Sequence, residues 1–194
     1  MAAKKISPEV QAILSASDLG LLATTVKLVE KFLVDNPASQ RAWLDLGRAL
    51  VEMSRYDVAE SAFQKAIELA DGGPVDVIFG ELGNLFRAKG DFDTAIGWYQ
   101  KQIEADPNDG TGYLFLGNIL FRQGNAEASI EACQKAAACE QVCLEEVHFS
   151  LGVAYRSLGN YSQAKTEFET ALKLEEKFNA AKIALKDVTS ALRD

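Results

Sequence analysis

The feature that most limits this chain is a pair, Leu-Gly, that returns at nearly constant spacing. It occurs at Leu46-Gly47, Leu82-Gly83, Leu116-Gly117 and Leu151-Gly152, separated by 36, 34 and 35 residues. A second series of glycines, Gly90, Gly124 and Gly159, follows with the same period. Self-similarity at 20–50 residues is the mark of stacked units, each too small to bury its apolar face alone. The unit is clearest over 76–109, DVIFGELGNLFRAKGDFDTAIGWYQKQIEADPND. Phe79, Leu82, Gly83 and Phe86 recur at helical spacing and predict one buried face of a first helix. Gly83 costs about 1 kcal/mol against alanine inside that helix, so a close helix crossing is expected there. Gly90 stands where a left-handed residue ends the helix. A second helix follows from about Phe92, with Ala95, Ile96, Tyr99 and Ile103 buried, and stops at Asp106-Pro107.

The second helices repeat as well: Ala59/Phe63/Ala66, Ala95/Tyr99, Ser129/Cys133/Ala136 and Ala164/Phe168/Ala171. With Trp43-x2-Leu46-Gly47 and Leu151-Gly152-x2-Tyr155, this resembles the tetratricopeptide repeat (TPR), whose pattern is W-x2-L-G-x2-Y…A-x3-F…P over 34 residues. The resemblance implies an all-α, right-handed superhelical solenoid of antiparallel helix pairs. The expected organisation is one domain over 1–194. A degenerate first repeat occupies 6–39, repeats follow at 40–75, 76–109, 110–144 and 145–178, and a capping helix closes the array over 179–194. Residues 1–5 read as a frayed tail, and Ser7-Pro8-Glu9 as a helix start. Ser54 replaces one turn glycine, and Asp71-Gly72-Gly73-Pro74 makes one connection about two residues longer than the family spacing.

Charge and cysteine content narrow the function. A formal net charge of −8 disfavours general nucleic-acid binding, which needs a basic face. No apolar run is long enough to span a membrane, and the opening MAAKKISPEV lacks a signal-peptide core. Cys133, Cys139 and Cys143 do not form a secreted disulfide framework. A cytoplasmic chain is the expectation. Cys133, Cys139, Cys143 and His148 superficially suggest zinc, but they lack the short C-x2-C knuckle, and Cys133 stands in a core position. Neither a metal, a cofactor nor an enzymatic role is expected.

The resemblance implies that first helices line a concave groove that binds a peptide or partner helix. Carried over position by position, the groove receives Arg41, Leu44, Asp45, Arg48 and Glu52 from one repeat, and Val77, Gly80, Glu81, Asn84 and Arg87 from the next. Thr111, Leu114, Phe115, Asn118, Phe121 and Arg122 follow, then Glu146, Phe149, Ser150, Val153 and Arg156. Asn84 and Asn118 hold equivalent places, so their amides are candidates for a ladder along an extended peptide. Arg48, Arg87, Arg122 and Arg156, with Leu114, Phe115, Phe121 and Phe149 between them, suit a partner with acidic and apolar side chains. Competing readings stand beside this one. The asparagines are common in the family, a terminal arginine also complements a helix dipole, and the phenylalanines can pack inside the array.

The two-carboxylate clamp that similar co-chaperones use is not restored here. Its lysine position holds Leu44, Gly80 or Leu114, and its second asparagine position holds Glu81, Phe115 or Ser150. The alternative to groove binding is self-assembly through the solenoid ends or convex face, hinted at by Leu19, Leu21 and Leu22 near the amino end.

Overall fold

The computed structural model describes residues 7–73 and 75–193; the expected tail at 1–5 lies outside them. Among the described residues the chain forms eleven helices: α1 (Pro8–Asp18), α2 (Leu22–Asp35), α3 (Gln40–Glu52), α4 (Tyr56–Glu68), α5 (Asp76–Lys89), α6 (Phe92–Ala105), α7 (Gly110–Arg122), α8 (Ala126–Ala137), α9 (Leu144–Ser157), α10 (Tyr161–Leu174) and α11 (Asn179–Ala191). None is long and apolar enough to cross a membrane. They group into two compact units, Met1–Ala95 and Ile96–Asp194.

In the first unit α2 packs on α1 and α3, α4 on α3 and α5, and α5 on α3. In the second, α8 packs on α7 and α9, α10 on α9 and α11, and α9 also touches α7 and α11. First helices thus touch first helices, as α3 does α5 and α7 does α9. Short polar side chains start several of these helices. Ser7 accepts from the Val10 N–H at 3.3 Å, Asp109 from Thr111 at 2.9 Å and Asn125 from Ala128 at 3.1 Å, satisfying amides that have no partner inside the helix. Left-handed residues end the first helix of each pair, among them Gly90 at φ 81° and Gly159 at φ 76°. Ser54 takes the same role at φ 58°.

The Leu-Gly repeat has a direct cause. A Cβ on Gly152 would lie 2.5 Å from the Phe168 ring, and one on Gly117 would lie 2.7 Å from Cys133 Sγ. Gly47 faces Phe63 in the same way. Each glycine therefore makes room for one second-helix side chain, all three of which are fully buried. Where the aromatic has shrunk to Cys133, Leu114, Ala136, Val147 and Leu151 complete the cluster around it.

The expected buried stripe of α5 needs correction. Ile78 and Leu85 are buried with Leu82, whereas Phe79 and Phe86 are only half-buried, because α5 packs on α4 and α3 at once and its core arc is wide. On α11, Ala181, Ala184 and Val188 are buried, whereas Leu192 lies past the helix and is exposed. A contact without a sequence signal joins two connections in the second unit: the Gly110 N–H donates to the Gln141 carbonyl at 2.9 Å, closing an isolated parallel bridge.

Candidate functional site

The first helices carry the expected binding positions, and the two units treat them differently. In the first unit the arginines are engaged. Arg48 on α3 donates from Nε to Glu81 Oε1 on α5 at 2.6 Å and lies 3.7 Å from Asp45. Arg41 pairs with the same Asp45 at 2.9 Å. Arg87 donates to Asn84 Oδ1 at 3.3 Å, one turn back on α5. The charges of Arg41 and Arg48 are thus met by the carboxylates of Asp45 and Glu81, whereas Arg87 meets a neutral amide.

In the second unit α7 and α9 present a mixed surface. Phe115 is half-buried, its ring 5.3 Å from that of Tyr99 and tilted at 41°. Phe121 is half-buried and Arg122 exposed. The Ser150 hydroxyl donates to Asn118 Oδ1 at 2.9 Å, which fixes the amide with its NH2 pointing away from the serine. Arg156 lies 3.9 Å from Asp187 on α11.

One predicted site residue is buried and another is half-buried against a neighbouring core. Leu114 is 2% exposed and packs with Val147 and Leu151 of α9, so it joins first helix to first helix instead of facing a ligand. Its equivalents Leu44 and Gly80 are buried as well. Phe149 is half-buried, its ring 5.7 Å from that of Phe168 and 5.0 Å from that of Phe178, tilted against both, and it packs against the α9–α10–α11 core. Asn84 and Asn118 fall in different units, and the ladder proposed for them rests on repeat register.

Of the cysteines, Cys133 packs in the core, Cys139 is half-buried and Cys143 is exposed. Cys133 is fully buried, and that burial pushes its thiol up to about 11. The Cys139 thiol donates to the Lys135 carbonyl at 3.3 Å. His148 Nδ1 lies 2.7 Å from Glu167 Oε2, tying α9 to α10. Among the described residues no three His, Cys, Asp or Glu side chains converge to hold a metal.

One feature escaped the sequence reading. A cavity of about 230 Å³ opens between α1, α2 and α3, with Ile13, Leu14, Leu22 and Ala49 among its apolar lining and Asp18 and Glu52 among its charged residues. No repeat signature marks it, because α1 lacks the Leu-Gly pair.

The tetratricopeptide-repeat model matches residues 11–74, 81–141 and 145–178. RNA polymerase II-associated protein 3 of Homo sapiens is 28% identical over 158 residues, covering 78% of this chain and 24% of that protein. The peroxisomal targeting signal receptor of Kluyveromyces lactis is 26% identical over 127 residues, 64% of this chain and 22% of that protein. The chain therefore spans about a quarter of the length of these relatives. Among solved structures, the first TPR of Spaghetti (RPAP3) bound to the HSP90 peptide SRMEEVD superposes with a TM-score of 0.59 at 25% identity, covering 61% of this chain and 94% of that one.

Proposed function

The chain belongs to the tetratricopeptide-repeat family, whose members are generally protein-interaction scaffolds, and from that premise we propose that it is a non-enzymatic scaffold binding a peptide segment or helix of a partner protein on its first-helix face. The observation that carries this reading is the Asn118–Ser150 pair. Ser150 occupies the amide oxygen, so the Asn118 NH2 is oriented to donate to a backbone carbonyl of an incoming chain. Phe115 and Phe121 beside it offer apolar surface, and Arg122 adds a positive charge. A partner segment bearing acidic and apolar side chains suits this part of the face. Peptide binding in the solved RPAP3 complex supports the mode. A ligand of a different kind is expected, because the clamp's lysine position holds Leu44, Gly80 or Leu114 and its second asparagine position Glu81, Phe115 or Ser150. Three free thiols suit a cytoplasmic setting.

The test is a pull-down with the wild type beside an Asn118→Ala/Arg122→Ala variant matched in helicity and melting. A partner retained by the wild type and lost by the variant is the expected result. Equal capture by both removes the face from consideration.

Self-assembly is the second reading, favoured by Leu19 at 73% exposed and Leu21 at 49%; Leu22 is partly covered and lines the cavity. If the chain dimerises through that end, Leu19→Asp yields a monomer in sedimentation. A dimer that persists removes this reading.

A further inference from the structure

We propose that the cavity between α1, α2 and α3 receives a lysine or arginine side chain of the partner segment, its stem against Ile13, Leu14, Leu22 and Ala49 and its cation at Asp18 and Glu52. The proposal rests on partner binding at the first-helix face and names the residue class taken by the first unit.

Size is the first argument. At about 230 Å³ the cavity is smaller than the roughly 300–1,000 Å³ of small-molecule sites. One long side chain fits it better than a cofactor.

Charge is the second. Two guanidinium groups line the cavity, and both are already paired: Arg41 with Asp45 at 2.9 Å, and Arg48 with Glu81 at 2.6 Å and Asp45 at 3.7 Å. Asp18 and Glu52 have no ion-pair or hydrogen-bond partner among the described side chains. The lining holds three carboxylates, Asp18, Asp45 and Glu52, against two guanidinium groups, one of which is also met by Glu81 from outside the lining, so the cavity attracts a cation.

The third argument is where those carboxylates sit. Asp18 and Glu52 are the final residues of α1 and α3. The negative end of the helix dipole lies there, and an acid opposes it. Neither helix has a basic residue in its last turn, whereas α5 ends with Arg87 and Lys89, α7 with Arg122 and α9 with Arg156. Two helices that break the charge rule beside one cavity, while the later first helices keep it, mark the place where an external cation supplies the missing charge. The apolar lining matches the methylene stem that lysine and arginine bury behind their charged heads.

An immobilised array of short random peptides is probed with the wild type, with Asp18→Asn/Glu52→Gln and with Asn118→Ala/Arg122→Ala. Selected peptides are then measured by fluorescence anisotropy. The wild type is expected to select peptides with lysine or arginine beside an aliphatic residue, and Asp18→Asn/Glu52→Gln to bind them about tenfold more weakly at an unchanged melting temperature. Should that variant not fold, Asp18→Lys on the exposed end of α1 reports the same loss. If selected peptides depend on Asn118 and Arg122 but carry no basic preference, or if the carboxylate variant binds them equally, the cavity assignment is overturned and face binding stands. If no peptide is selected by any form, both are overturned.

Discussion

Cys133 shows how a single side chain can look chemical and act structurally. It fills the place of a second-helix aromatic against Gly117, with its thiol raised to about 11 by burial. The thiolate is the nucleophile, so at neutral pH Cys133 is inert in the folded chain. Cys143 is exposed, and its thiol is raised by partial burial and by Glu145 and Glu146. A disulfide reagent at pH 8 should modify Cys143 first, faster as pH rises, and Cys133 only as the protein unfolds. Native labelling of Cys133 at the rate of Cys143 would contradict this placement. Residue by residue, the candidate site was only partly legible. Repeat register located Asn118, Phe121 and Arg122 on a first helix, but it could not tell a groove position from an inter-helix one. Leu114 is buried because α7 and α9 approach through that position. Likewise, the pairing of Arg48 with Glu81 joins residues from different repeats, and register does not specify how such side chains meet.

At the scale of the element, helix ends were the most readable part of the chain, since their causes are local. Glycine at φ 81° ends α5, and a serine oxygen starts α1. Ser54 is the exception that can be measured. At φ 58° it holds a conformation that strains an L-residue by about 1–2 kcal/mol. Glycine removes that strain but adds about 0.4–1 kcal/mol of unfolded-state entropy. Ser54→Gly should therefore stabilise the protein by roughly 0.5 kcal/mol in urea denaturation, and a clear loss of stability would show that the serine side chain contributes to the turn. The Asp109–Gln141 bridge was not legible, because it joins two irregular segments with no periodic pattern. Nor was the cavity beside α1, whose first repeat departs from the signature.

For the whole molecule, an all-α array of helix pairs was legible from spacing alone, because each repeat is one packing solution used again. At Gly47, Gly117 and Gly152 the glycine makes room for a buried second-helix side chain. What spacing does not encode is the distribution of charge. A net charge of −8 hides first helices that end in arginine or lysine at α5, α7 and α9, and in acid at α1 and α3.

The most direct test of first-helix binding is amide hydrogen exchange on the protein alone and with the partner recovered by pull-down. The account predicts slower exchange in α7 and α9 on binding, with α8 and α10 unchanged. Protection confined to the second helices, or to the exposed leucines at 19 and 21, would contradict it.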